Sequence, residues 1–166
     1  MGIVLPDIIA ATKFAQPSDW AEDERGRHKM TLSLDIDGVT IEGLFLRVTA
    51  LRSLPDQEVM VQLEYRPPHA AGDALCRLDW RPLRPHRNPM IGPKKLHLLE
   101  IPGTHHHSFD LNWLDNKNCM RVGNLPLAKS VDEDPSTFGQ LLALVSKEFR
   151  ISNLSEVPLP AWDLLL

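Results

Sequence analysis

Hydrophobic and polar residues alternate with a period of two along several stretches of the chain. Side chains of a β-strand point to opposite faces in turn, so this alternation predicts strands that are buried on one face. The alternating stretches are residues 31–36, 39–48, 59–65 and 76–80. Asp37-Gly38 separates the first two and is a strong signal for a tight hairpin turn. The pattern therefore predicts an antiparallel meander of strands joined by short turns.

The segment after the fourth strand is rich in proline, which cannot donate to a strand ladder. Residues 82–93 contain Pro82, Pro85, Pro89 and Pro93. We therefore expect a long loop here, and long ordered loops often carry function. Two further strands, 95–101 and 105–113, are predicted on either side of the turn at Pro102-Gly103, which extends the β-meander over residues 30–113.

Helical patterns flank the predicted sheet. A short N-terminal helix is expected over 6–15, with Pro6 near its start. A longer helix is expected over 135–150, with Asp134 as its N-cap and Pro135 at its first position. The apolar residues of this second helix recur at helical spacing and form one face. They are Phe138, Leu141, Leu142, Val145 and Phe149.

These elements predict a single α+β domain over residues 1–166. An antiparallel sheet of five or six strands would be packed on one face by the C-terminal helix. The segment 151–166, with apolar residues from Val157 to Leu166, is expected to lie as a strap across the core. The alternative is an exposed tail that docks a protein partner.

The chain has no apolar run long enough for a membrane helix and no signal peptide at its N-terminus. Its two cysteines, Cys76 and Cys119, form neither a CxxC pair nor a disulfide framework. We therefore expect a cytoplasmic protein with reduced thiols and without a membrane partner.

Charge is unevenly distributed along the chain. The formal net charge is −4, but residues 66–95 hold seven Lys or Arg and two Asp, a local charge of +5. Such a stretch is either a solvated strand face or a surface for an anionic partner such as RNA. Aromatic residues make up only 6% of the chain, which argues against a base-stacking platform.

Histidines are the strongest candidates for chemistry. Residues two apart on a strand point the same way, so His105 and His107 would share one face. His86 in the loop or His97 on the preceding strand would complete a set of three nitrogen ligands. Three such ligands suit zinc or another transition metal. The alternative is that adjacent histidines are polar surface residues.

The same region also suits phosphodiester chemistry without a metal. His105 or His107 would transfer protons, and Arg77 and Arg81, on one face of their strand, would clamp a phosphate. Asp79 lies between the two arginines and would orient a histidine. The remaining candidates for substrate binding are Arg84 and Arg87. The alternative is that residues 77–81 form a surface ion-pair ladder.

Three short motifs followed by a C-terminal helix resemble an uncharacterised family of small prokaryotic and phage proteins, over residues 75–151. The motifs are Arg77-x-Asp79, His86-x-Asn88-Pro89 and Gly103-x-His105-His106-His107-x-Phe109. The resemblance implies that Asp79, His86, His105 and His107 converge in one pocket. It implies no activity, and Phe109 stands where the family has a tyrosine, so one proton donor is missing.

Two classes of function follow from these observations. One is a His-dependent enzyme that acts on a phosphodiester substrate, with RNA as the expected partner. The other is a non-enzymatic binding protein, such as a phage- or defence-associated inhibitor or adaptor, that docks its partner through a basic face. A convergent pocket of histidines favours the enzyme, and histidines spread over a flat surface favour the binding protein.

Overall fold

A computed structural model describes residues 4–163 of the chain. Its helices are α1 (Leu5–Ala10), α2 (Phe109–Asn112) and α3 (Phe138–Phe149), with 3₁₀ turns at Lys94–Leu96 and Leu154–Glu156. Its strands are β1 (Lys13–Ala15), β2 (Ala21–Glu22), β3 (Arg27–Ile36), β4 (Val39–Leu51), β5 (Val59–Tyr65), β6 (Asp73–Trp80), β7 (His86–Arg87), β8 (Glu100–Ile101), β9 (His105–His107), β10 (Trp113–Leu114), β11 (Cys119–Met120) and β12 (Lys129–Ser130). No helix within the described residues is long and apolar enough to cross a membrane.

The main sheet has the strand order β1-β3-β4-β5-β6-β9-β12, and β2 also pairs with β3. The chain is thus an α+β protein built on an antiparallel sheet, as the alternation predicts, although this sheet has eight strands rather than five or six. The turn between β3 and β4 has positive φ at both Asp37 (51°) and Gly38 (76°). This geometry matches the right-handed twist of the strands that it joins.

The two faces of the sheet differ in character. One face is apolar and is covered by α3, whose residues Leu141, Val145 and Phe149 are buried in the same core as Leu46 and the neighbouring strand residues. The opposite face carries polar and charged residues of β3 to β6 and β9. Candidate chemistry lies on this second face.

The terminal helices start and end at other residues than predicted. Helix α3 begins at Phe138, because the Thr137 side chain, rather than Asp134, accepts the hydrogen bond from the amide of Gln140 at 3.2 Å. The predicted helix 6–15 ends at Ala10, and its second half is strand β1. Pairing of β1 with β3 satisfies backbone groups on the side of β3 that faces away from β4, which a longer helix would leave unpaired.

The region 95–113 is more irregular than two strands. The predicted strand 95–101 contains a 3₁₀ turn and the short β8, and the predicted strand 105–113 ends at His107 and continues as α2. The buried Asn112 explains this ending. Its amide group donates to the carbonyl oxygens of Ser108 and Leu127, each at 2.9 Å, and thereby holds the helical turn.

The C-terminal tail lies against β2 and β3. Trp20 Nε1 donates to the carbonyl of Pro158 at 2.8 Å, and the ring of His28 is 3.0 Å from the carbonyl of Ala161. The ring of Trp162 packs edge-on against Phe138 at the start of α3. The last part of the expected strap, residues 164–166, lies outside the described residues.

Candidate metal centre

Pairing of β6 with β9 brings most of the candidate residues together. In this antiparallel register Asp79 lies opposite His105, and Arg77 lies opposite His107. All four side chains project from the polar face, because residues two apart on a strand share a face. His86 reaches the same place from β7, in the proline-rich loop.

The three histidine rings are in direct contact with one another. The ring centroids of His86 and His105 are 5.3 Å apart, those of His86 and His107 are 4.7 Å apart, and those of His105 and His107 are 5.0 Å apart. One nitrogen from each ring lies within 4.8 Å of the others. Ligands bonded at about 2.1 Å to one tetrahedral ion are about 3.4 Å apart, so the rings would have to move closer together to enclose a metal.

Backbone carbonyls hold all three rings in position. His105 Nδ1 donates to Gly103 O at 2.8 Å, and His107 Nδ1 donates to Leu125 O at 2.6 Å. His86 Nε2 donates to Pro126 O at 3.1 Å. A carbonyl oxygen only accepts, so each of these nitrogens carries the proton and the other nitrogen of each ring keeps its lone pair. Histidines that bind metals are oriented in this way in proteins.

Asp79 provides a carboxylate beside the histidines. Its Oδ2 atom is 3.2 Å from His105 Nε2 and 3.2 Å from His107 Nε2. Two tetrahedral ligands bonded at about 2.0 Å are about 3.3 Å apart, so these distances suit neighbouring ligands of one ion. Burial opposes the charged form of Asp79, but its polar neighbours, with the Arg77 guanidinium among them, outweigh burial and hold the pKa of this carboxyl well below its usual range.

Arg77 is the cation that contacts this cluster. Its Nε donates to Asp79 Oδ2 at 2.9 Å, and its terminal amino group donates to His107 Nε2 at 2.8 Å. The second bond uses the same lone pair that would bind a metal. A metal on His107 would therefore displace Arg77 from that nitrogen and leave its bond to Asp79 intact.

Burial limits access to His105 and His107, and it affects the protonation of His107 and His86. His105 is 3% exposed and His107 is 0% exposed. Burial lowers the pKa of His107 to about 4 and also lowers the pKa of His86. At neutral pH both rings are uncharged, which is the state that binds metals.

The segment 123–128 supports the cluster, and the sequence pattern gives little sign of it. Leu125 and Pro126 provide the carbonyls that orient His107 and His86. Asn124 and Leu125 have φ values of 54° and 61°, a left-handed conformation that is strained for leucine. Such strain persists where the surrounding structure enforces it, often at functional sites. The only sequence signal is Gly123-Asn124, a pair typical of turns.

Two buried asparagines hold this segment in place. Asn88 bonds to both the amide (2.9 Å) and the carbonyl (3.0 Å) of Ala128, and its Oδ1 atom lies 3.0 Å from His86 Nε2. Asn112 bonds in the same manner to Leu127. Asn88 therefore contributes to the orientation of His86 both directly and through the segment.

The other predicted phosphate-binding arginines do not join the cluster. The prediction that Arg81 shares a face with Arg77 is wrong, because β6 ends at Trp80 and Arg81 has a positive φ of 46°. Arg81 instead lies over the Trp80 ring and 3.3 Å from Asp134. Arg84 and Arg87 are exposed on the loop.

Two other histidines of this region lie outside the cluster. His97, the alternative third ligand, is bonded to the carbonyl of Gly92 at 3.1 Å. His106 points to the opposite face of the sheet, where its ring packs against Phe149 and its Nδ1 is 3.8 Å from Glu148.

No family model, curated protein or solved structure matches this chain. The fold and the site thus define it as an α+β protein with a buried cluster of three histidines and one aspartate on the polar face of an antiparallel sheet.

Proposed function

We propose that this protein is a metal-dependent enzyme that cleaves phosphodiester bonds, with RNA as its substrate. His86, His105 and His107 would bind one divalent transition metal, most simply zinc. The observation that supports this proposal is the orientation of the three rings. Each donates one N–H to a backbone carbonyl, and one nitrogen of each ring lies within 4.8 Å of one nitrogen of each of the other two.

Asp79 and Arg77 fit complementary roles in such a centre. The Asp79 side chain is 19% exposed and His86 is also only partly buried, so a substrate would approach the cluster beside these two residues. Its carboxylate would complete the ligand set, and Arg77 beside it would neutralise charge on a phosphate. A bound metal would polarise the phosphoryl group and lower the pKa of a bound water.

Burial favours a metal over proton transfer by the histidines themselves. A general acid or base must come within hydrogen-bond reach of the substrate. His107 is fully buried, its Nδ1 is bonded to Leu125, and its Nε2 faces Arg77 and Asp79. A strand of RNA has no path to either nitrogen of His107, whereas a metal held by Nε2 and the other two histidines would present an open coordination position.

The convergence of these groups also argues against the alternative of a purely binding protein. Burying three imidazoles and a carboxylate costs free energy unless each polar group finds a partner. A surface that only docks a partner would gain nothing from this arrangement. A metal ion bound by all four groups would offset the cost of burying them.

Metal content of untagged protein, measured by mass spectrometry, tests the proposed centre. We expect about one equivalent of zinc or another transition metal. His105→Ala should lose it, because one of three nitrogen ligands is removed. His97→Ala is the matched control and should retain the metal, because His97 lies outside the cluster. Protein that contains no metal and takes none up on titration with zinc, manganese or iron would contradict the proposal.

Cleavage of a labelled RNA oligonucleotide tests the activity. Metal-loaded protein should cleave, and chelation or His107→Ala should abolish cleavage. The His97→Ala control should cleave at the rate of the parent. Equal cleavage by all of these proteins would show that the activity arises elsewhere or from a contaminant.

A further inference from the structure

A groove on the polar face of the sheet leads to the candidate metal centre. It has a volume of about 390 Å³ and is lined by residues that include Arg27, Lys29, Arg47, Glu58, Met60 and Asp79. Asp79 thus belongs both to this groove and to the histidine cluster. The groove begins at the metal centre and extends away from it over the neighbouring strands.

Strand register places four of the residues that line the groove on a single line across the sheet. Lys29 on β3 pairs with Thr49, Thr49 pairs with Met60, Met60 pairs with Asp79, and Asp79 pairs with His105. Adjacent strands lie about 4.8 Å apart, so Lys29 and Asp79 are separated by about 14 Å at the backbone. A ligand that contacts both ends must therefore be larger than one phosphate group.

The far end of the groove is positively charged. Arg27 and Lys29 are exposed, and their side chains form no ion pair or hydrogen bond with any residue in the range 4–163. Arg47 adds a third cation, although it is paired with the buried Glu64 at 2.9 Å. Lys29, about 14 Å from Asp79 at the backbone, and Arg27, two residues further along β3, together suit a ligand with regularly spaced negative charges.

We propose that this groove binds the backbone of single-stranded RNA. Arg27 and Lys29 contact phosphates at its far end, and a phosphodiester further along the strand lies beside Asp79. This proposal rests on the proposed function for the identity of the reacting bond. Among the lining residues named above none is aromatic, so the groove contacts the backbone without stacking on bases and has little sequence preference.

The test measures binding of a labelled RNA of about 12 nucleotides by fluorescence anisotropy, with chelator present so that no cleavage occurs. Arg27→Gln/Lys29→Gln removes the two free cations of the groove. Lys94→Gln/Lys95→Gln is the matched control, because it removes the same charge from exposed positions elsewhere. A third double variant, Arg84→Gln/Arg87→Gln, removes two cations from the proline-rich loop.

We expect the groove variant to bind RNA at least tenfold more weakly than the parent. The slope of log affinity against log salt, over roughly 50 to 200 mM, should fall by about 1.4, because each phosphate contact on a single strand contributes about 0.7. The lysine control should keep more than half of the parent affinity. Uridine monophosphate should compete weakly, since it cannot span the groove.

Three results would overturn the proposal. They are no binding of RNA by the parent, equal losses in the groove and control variants, and a larger loss in the Arg84/Arg87 variant than in the groove variant. Because the assay is free of metal, its outcome is separate from that of the metal analysis. Protein that binds zinc but not RNA keeps the metal centre and loses both the groove and RNA as the substrate. Protein that binds RNA through Arg27 and Lys29 but takes up no metal keeps the groove and loses the metal-dependent enzyme.

Discussion

Asn88 provides the sharpest test of the candidate metal centre, because it touches His86 without being a ligand. Asn88→Ala removes the Oδ1 atom that lies 3.0 Å from His86 Nε2. It also removes both bonds to Ala128, which lies two residues after Pro126. The carbonyls of Leu125 and Pro126 accept the hydrogen bonds that orient His107 and His86. We therefore expect two effects, one on stability and one on metal affinity.

The two effects have different sizes and different causes. The fully buried amide and carbonyl of Ala128 would each lose a partner, at a cost of about 1–3 kcal/mol for each group, so the protein should be destabilised by about 2–6 kcal/mol. Loss of an outer partner of a metal-binding histidine weakens metal affinity by about 10- to 100-fold. That range corresponds to about 1.4–2.8 kcal/mol of binding free energy.

Asn112→Ala is a matched control for the stability effect. Asn112 is equally buried and makes the same pair of bonds to Leu127, but it does not contact a histidine. Both variants should unfold at lower urea concentration, and Asn88→Ala should lose much more metal affinity than Asn112→Ala, because only Asn88 also contacts His86 directly. Competition against a chromophoric chelator, at a temperature where circular dichroism shows intact folds, measures that affinity.

A conservative variant separates orientation of His86 from general damage to the fold. Asn88→Asp keeps an acceptor for His86 Nε2 but loses the bond to the carbonyl of Ala128. It should be less stable than the parent and yet bind the metal at least as tightly. The reasoning would be refuted if Asn88→Ala kept the parent affinity, or if Asn112→Ala lost as much of it.

Three further predictions concern other parts of the molecule. Arg77→Met should bind a divalent metal at least tenfold more tightly, because a cation about 4 Å from the metal repels it by about 1 kcal/mol per unit charge even in water. The same variant should cleave RNA more slowly. Weaker metal binding in a chelator titration would contradict the placement of Arg77. Burial lowers the pKa of Lys13 from 10.5 to about 8, so above pH 8 the unfolded chain holds a proton that the folded chain lacks. Stability from this group should therefore rise by about 1 kcal/mol between pH 7 and 9 in urea titrations, and Lys13→Met should lack this rise. Gly43→Ala should destabilise the folded protein by more than about 2 kcal/mol, because the added Cβ would lie 2.0 Å from Arg66 O. The control Gly38→Ala should cost only about 1 kcal/mol of backbone strain, because its added Cβ has no atom within 4 Å. Equal losses of stability in the two variants would contradict this prediction.

The strands of the meander could be predicted from the sequence because their signals are local. Alternation over 31–36 and 59–65 reports which face of each strand is buried, and Asp37-Gly38 reports the turn between β3 and β4. The short strands at the edges carry no such signal. A strand of two or three residues, such as β12, forms because β9 offers it a partner, and its own residues do not specify it.

In the candidate site, too, local features could be predicted from the sequence, and contacts between distant segments could not. The spacing of His105 and His107, and of Arg77 and Asp79, places each pair on one face of a strand. Their approach to each other depends on pairing between β6 and β9, which are separated by the whole proline-rich loop. The carbonyl of Leu125, in a left-handed conformation, has no signature in its own sequence.

Arg81 shows that alternation along a strand gives a wrong prediction where the strand ends earlier than the pattern does. Alternation alone would continue β6 through this residue and place it beside Arg77. The following residue, Pro82, has no amide for the ladder, and the strand ends before it. The chain then turns at Arg81, and its guanidinium finds Asp134 near the start of α3. The sequence pattern identifies the face of a strand only as far as the strand extends.

The contacts within the cluster explain why a metal fits it better than Arg77 alone. His105 Nδ1 is protonated toward Gly103, so in the neutral ring the lone pair of Nε2 faces the Asp79 carboxylate at 3.2 Å. Two acceptors at this distance repel each other unless a cation lies between them. Arg77 bonds to His107 and Asp79, but it makes no hydrogen bond with His105 or His86 among the described residues. One metal ion would satisfy all three rings and the carboxylate together, which is why we propose a metal for the part of the cluster that Arg77 does not contact.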